Sequence, residues 1–200
     1  RMDRARAIWA SCSWRLSAAP SCEGLDLSRS ERNGMADVMI IGGGVIGLTA
    51  AFELAERGLQ VTVLDQQQPG REASWAGAGI LPPAYPGDPN HPLAQLARAT
   101  HPMWPQLSEL LREEVGIDNG FRACGGINFS PDGTAPTLSE EIRLWQQAGV
   151  AVESLDADAV GSLEPSISPE AAPGYLLPGT CQVRNPRHLR ALMVACVRCG

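Results

Sequence analysis

The sequence contains no apolar run of the roughly 18 residues that a membrane helix needs, so no membrane span is expected in its 200 residues. Nor does it carry an excess of basic charge. Lys and Arg number 16 against 22 Asp and Glu, and the net charge of −6 argues against a nucleic-acid partner or a polybasic membrane contact. The paired cysteine clusters of a zinc site are missing too. Of Cys12, Cys22, Cys124, Cys181, Cys196 and Cys199, only the last two are close, as a lone C-x-x-C without a second pair or a preceding thioredoxin-like strand. No metal site is expected, and the scattered spacing does not make a disulfide framework. His91, His101 and His188 are isolated from one another in the sequence. Scattered histidines of this kind are usually surface or loop residues, so none is assigned a catalytic role. There is no internal repeat.

The apolar content, 44% of residues, suffices for one core and the start of a second. Residues 1–34 are Arg- and Ser-rich, and Arg15 interrupts the stretch that a secretory signal would keep apolar. They read as a disordered leader or upstream extension, with Met35 as the natural start. Residues 37–41 (DVMII) form a short apolar run of the kind found in strands buried on both faces. A helix should follow, with Leu48, Ala51, Phe52 and Ala55 on one face and Gly58 as its stop. VTVLD, 61–65, is a second buried strand, so 37–65 reads as one right-handed β-α-β unit.

Beyond it, 66–92 reads as loop, rich in small residues and then in proline. Two helices are expected next, the second placing Trp104, Leu107, Leu111 and Val115 on one face. CGGINFS (124–130) reads as a strand. Thr137 and Glu140 fit a capping box opening a helix that Gly149 ends. A short strand, a small helix over 156–163 and a strand at Tyr175–Leu177 follow. Asn185-Pro186 then opens a last helix with Leu189, Leu192, Met193 and Cys196 on its inner face and Arg187 and Arg190 solvated.

The chemistry lies at Gly42-x-Gly44-x-x-Gly47. Alone this spacing is weak, but here it leaves a strand, opens a helix, and is followed some twenty residues later by Asp65 at the end of the next strand. Gly42 permits the tight turn, Gly44 lets the backbone approach a pyrophosphate, and Gly47 lets helix and sheet pack closely. Amides near Val45 and Ile46 would then face phosphate oxygens at the positive end of the helix. Asp65 would accept from ribose hydroxyls, and its charge disfavours a 2′-phosphate. This half of the fingerprint is common to NAD and FAD. A nicotinamide dehydrogenase usually continues with a second compact β-α-β unit, whereas here the small-residue segment Arg71–Leu81 follows. Its free amides suit a flat ligand.

DVMIIGGGVIGLTAAFELAERGLQVTVLD with PGREASWAGAGILPP resembles the D-amino-acid oxidase superfamily of FAD-dependent oxidoreductases, most of all its glycine oxidase branch in thiamine biosynthesis. NPRHLRALMVAC resembles that family's helix returning to the FAD domain. The resemblance implies an α/β fold: a Rossmann-type FAD-binding domain with a parallel sheet over 35–81 and 183–200, and the beginning of an α+β substrate domain over 90–180. It implies FAD as cofactor, with Val45 and Ile46 near the phosphates and Asp65 and Gln66 at the ribose. Ala73 and Ser74 are implied as FAD contacts, and Ala78, Gly79 and Ile80 as the stretch beside the flavin.

The activity implied is oxidative deamination of a small amino acid such as glycine, with O2 reduced to H2O2, in the cytoplasm. An FAD-dependent dehydrogenase of D-amino acids or sarcosine, and a non-catalytic nucleotide-binding module, stay open beside it, as does a homo-oligomer. The family's substrate-binding Arg and Tyr lie beyond the region corresponding to Gly200. We therefore expect an N-terminal portion of a longer enzyme and name no catalytic residue.

Overall fold

In the computed structural model the described residues are 36–129, 135–167 and 173–199, so the expected leader at 1–34 lies outside them. The chain divides into two compact units. One takes the described residues up to Gly77 together with Gln106–Asn119 and those from Asn185 on; the other takes Ala78–Pro105 and Gly120–Arg184. Residues 106–119, expected within the 90–180 stretch, thus pack in the first unit.

The first unit is built on two parallel strands, β1 (Val38–Ile41) and β2 (Val61–Leu64), in register from Val38 opposite Val61 to Ile41 opposite Leu64. Helix α1 (Val45–Glu56) joins them. Its apolar spacing puts Leu48, Ala51 and Phe52 in the core. It stops where Gly58 turns to a positive φ of 85° and donates to Ala55 O at 2.8 Å. The short segment α2 (Ala73–Ala76) follows β2 in this unit.

Two later helices close the core. The last, α7 (Asn185–Cys199), buries Leu189, Ala191, Leu192 and Ala195. Ala191 and Ala195 carry no bulk beyond Cβ, which suits the close packing of α7 on α1. From α4 (Trp104–Val115) come Leu110, Leu111 and Val115, with Leu107 partly buried. The expected α4 face is thus present, although Leu110 is deeper than its spacing suggested.

The strands differ from the sequence reading. They alternate half-buried and exposed, with Met39 at 62%, Ile41 at 87% and Leu64 at 46% exposure. α1 packs on this pair, and among the described residues the side chains pointing the other way are left open. A continuous apolar run does not reveal which face is covered.

The second unit is antiparallel. It holds β3 (Ile80–Leu81), β4 (Arg122–Ala123) and β8 (Cys181–Gln182) in the order β3-β8-β4, and β5 (Gly126–Phe129), β6 (Glu153–Leu155) and β7 (Gly174–Leu177) in the order β5-β7-β6. Helix α3 (Pro92–Thr100) begins at Pro92 with His91 capping Leu93 N through Nδ1. Helix α5 (Ala135–Gln147) packs on β7, where Trp145 Nε1 donates to Tyr175 Oη at 3.1 Å and Tyr175 Oη donates to Glu141 at 2.9 Å.

The capping box expected at Thr137 is not formed. The helix already runs from Ala135, so Thr137 sits inside it, and Glu140 pairs instead with Arg143 one turn on. The small helix α6 (Ala157–Leu163) is capped by Asp156 on Ala159 N at 2.8 Å.

The core predicts its own sensitivity. Leu192 is fully buried where α7 meets the other core helices. Leu192→Ala should cost about 2–5 kcal/mol of unfolding free energy, read as a lower urea midpoint with an unchanged slope.

Candidate functional site

The glycine loop is held from three sides within the first unit. Gly42 leaves β1 with φ of 104°, a conformation that L side chains rarely adopt, while its amide still donates to Leu64 O at 2.7 Å. Gly47 is forced by contact: a Cβ there would stand 1.9 Å from Gly42 O. These are the turn and the close helix approach expected of the first and last glycines.

The middle residue, Gly43, was not singled out by spacing, yet it is tied through both its amide and its carbonyl. Its amide donates to Asp65 Oδ2 at 2.7 Å and its carbonyl accepts from Gly70 N at 2.8 Å. A Cβ on it would meet Pro69 Cβ at 2.7 Å. The unbroken run GGG was the available signal.

Asp65 therefore does more than wait for a ribose. Its Oδ1 accepts from Gln67 N at 2.9 Å and its Oδ2 from Gly43 N. These amides, Gln67 first, hold the carboxyl below the ordinary aspartate range, so it is ionised at neutral pH. Gln66 beside it is exposed.

The start of α1 is open in a specific sense. Its N-cap is Gly44, which has no side chain to give, and its first turn carries no acid. Ser74 Oγ, from 29 residues away, accepts from Val45 N at 3.0 Å and lies 3.0 Å from where a Cβ on Gly44 would be. A residue larger than glycine at 44 would crowd this bond. The positive helix end is thus lined by backbone amides and one hydroxyl, with Ile46 84% exposed beside it. That donor set suits a phosphate or pyrophosphate.

The structure brings Gly42, Gly44, Val45, Ile46, Gly47, Asp65, Gln66, Ala73 and Ser74 into this one unit. Ala73 and Ser74 lie on the helical turn α2, not on a plain loop as expected, because Ala, Ser, Trp and Ala tolerate a turn of helix. Ala78, Gly79 and Ile80 belong to the second unit. There Gly79 takes φ of 74° and accepts from Val183 N, and Ile80 pairs with Gln182 in β3.

His188 corrects the reading of scattered histidines as surface groups. It is 2% exposed on α7, and its Nδ1 lies 3.2 Å from Asn119 Nδ2. The i+1 spacing to Leu189 concealed it, since α7 buries both residues. Burial holds its imidazole pKa down at about 4. His91 caps α3 and stacks on Tyr85 with centroids 4.9 Å apart. Cys196 and Cys199 act as thiol donors, to Leu48 O at 3.5 Å and Glu56 at 3.0 Å. Burial and Glu56 push the Cys199 thiol up to about 12, which makes it unreactive.

Against known proteins, the family described as FAD dependent oxidoreductase (DAO) matches residues 37–200. Glycine oxidase of Pseudomonas putida KT2440 is 36% identical over 158 residues, 79% of this chain and 42% of that protein. Among solved structures, glycine oxidase from Geobacillus kaustophilus superposes with a TM-score of 0.76 at 34% identity over 82% of this chain and 45% of its own. That from Bacillus cereus superposes with 0.75 at 33% identity, over 83% and 45%. The chain spans less than half the length of these relatives.

The depressed His188 pKa carries a sign. Above the unfolded value of 6.5 the group is neutral in both states. As pH falls from 6.5 towards about 4, the unfolded chain takes up a proton that the folded chain refuses, so stability drops. The loss should approach about 3 kcal/mol at the acid end. Urea midpoints across this range should fall more steeply for the natural protein than for His188→Phe.

Proposed function

The chain belongs to the family of FAD-dependent oxidoreductases, and on that premise we propose that its first unit holds the ADP half of FAD and that the protein oxidises a small amino acid such as glycine. One observation carries the cofactor assignment. The first turn of α1 presents amides with no acid and no N-cap side chain, while an ionised Asp65, just past the end of β2, is fixed by Gly43 N at 2.7 Å. A dinucleotide needs this juxtaposition: donors for the pyrophosphate and, a few ångströms on, an acceptor for the ribose hydroxyls.

The residues divide the work. The amides of Val45 and Ile46 would face phosphate oxygens, with Ser74 Oγ, now on Val45 N, able to share its hydroxyl proton with the same anion. Asp65 would orient the ribose, with Gln66 at its side. Ala73 and Ser74 would stand along the phosphates, and Ala78, Gly79 and Ile80 would supply backbone beside the flavin. On this reading the first unit is the FAD-binding domain and the second the beginning of the substrate domain. The chemistry the group supplies when bound is two-electron oxidation at an amino acid's Cα–N bond with O2 reduced to H2O2. The imine so produced would be available to thiazole synthesis for thiamine. The glycine oxidases among the relatives support glycine as the first substrate to try.

Protein purified from its complete reading frame should show the visible absorption of bound flavin. Anaerobic glycine should bleach it, and air should restore it with O2 uptake. Dye reduction without O2 uptake would indicate a dehydrogenase instead. A colourless protein that takes up no added FAD would leave a non-catalytic module. Asp65→Ala should weaken FAD binding about tenfold or more, the loss of hydrogen bonds to a charged acceptor, read by flavin fluorescence titration.

A further inference from the structure

The inner face of α7 is apolar at Leu189, Ala191, Leu192 and Ala195, yet it opens with His188, which is as buried as they are. Placing an imidazole in an apolar core costs free energy unless its polar atoms are matched. Here Nδ1 is matched by a chain crossing three segments. Asn119 Nδ2 donates to Ser108 Oγ of α4 at 3.0 Å and lies 3.2 Å from His188 Nδ1. Ser108 is 8% exposed and Asn119 1%. An amide nitrogen only donates, so Nδ1 accepts and the imidazole proton sits on Nε2. A leucine or phenylalanine at 188 would also fill space. Only a polar partner ties the rotation and height of the helix to a fixed point, since apolar contacts tolerate sliding and an unmatched buried donor does not.

What this anchored turn touches is the cofactor loop. Leu189 Cβ, one residue on, lies 3.3 Å from where a Cβ on Gly70 would stand, so Gly70 is pressed against α7. Gly70 N in turn donates to Gly43 O at 2.8 Å. Asn185 Nδ2, at the start of α7, lies 2.6 Å from where a Cβ on Gly77 would be, just past α2 and Ser74. The first turn of α7 thus bears on both ends of the 70–77 segment, whose Gly70 and Ser74 hold Gly43 and Val45. On these elements Arg187, Arg190, Arg112 and Asp118 are exposed, and Glu56 of α1 meets Cys199 at the far end of α7.

We propose that the buried Ser108–Asn119–His188 chain is a brace for the phosphate loop, and that His188 is a positioning residue for the cofactor acting through Leu189 and Gly70. This rests on the FAD reading above for its ligand, although the brace itself does not require one.

Amide hydrogen exchange and FAD titration on the natural protein, His188→Phe and His188→Gln separate the two. Phe keeps the ring and removes the acceptor; Gln restores an acceptor for Asn119 Nδ2. In His188→Phe, exchange at the Gly70 and Val45 amides should rise about tenfold and the FAD Kd should rise about tenfold, while the Tyr175 amide in the second unit stays unchanged. His188→Gln should return both readouts to near the natural values. Unchanged exchange at Gly70 and Val45 in folded His188→Phe overturns the brace, whatever FAD does. Accelerated exchange with an unchanged Kd overturns its role in cofactor positioning. A natural protein that takes up no FAD rejects the cofactor reading, and the exchange data still decide the brace. Should His188→Phe fail to fold, Ser108→Ala removes one partner of Asn119, and the same two amides should speed up by a smaller factor; no change there overturns the proposal.

Discussion

The first unit depends on one contact that leaves no room for a side chain: the start of α1 lies so close to the end of β1 that a Cβ on Gly47 would stand 1.9 Å from Gly42 O. This closeness brings the amides of the first turn to the carboxyl edge of the parallel pair, where open α/β sheets bind their ligands. The positive φ of Gly42 makes the turn possible, and the burial of Leu48 and Phe52 against α7 keeps the helix down.

A second layer of constraint surrounds that contact. The Gly43 peptide is tied at both ends, to Asp65 and to Gly70, and Val45 is tied to Ser74. The ends of β1 and β2, the start of α1 and the turn α2 are thus cross-linked by short polar bonds before any ligand arrives. Preorganisation of this kind lowers the ordering cost of binding an anion. It also explains why a carboxylate at 65 serves two purposes, holding the loop and presenting a charge to a ribose.

Much of this was legible in the residues. The glycine spacing, the acid at 65 and the helix face of Leu48, Ala51 and Phe52 each follow from a local rule, and the parallel pairing of β1 with β2 follows from their order. What was hidden depends on tertiary placement. No period distinguishes His188 from a solvated helix residue, because its burial is decided by Asn119 arriving from 69 positions away. The strand runs gave no sign of which face would be covered, and Met39 and Ile41 are exposed where burial was expected. The Thr137 box matched a pattern that also occurs inside helices, and the actual start lies two residues earlier, at Ala135. Gly43 and Gly70 carry constraints visible only once the neighbouring backbone is in place.

The account centres on the start of α1 as the seat of the dinucleotide phosphates. Backbone amide spectra of the isotope-labelled protein, recorded as FAD is added, test this most directly. The amides of Gly44, Val45 and Ile46 and the Asp65 carboxylate signal should shift together with a single saturating Kd, while amides of the β5-β7-β6 sheet that pair strand to strand hold still. Saturable FAD binding that leaves the Gly44–Ile46 amides unmoved would contradict it.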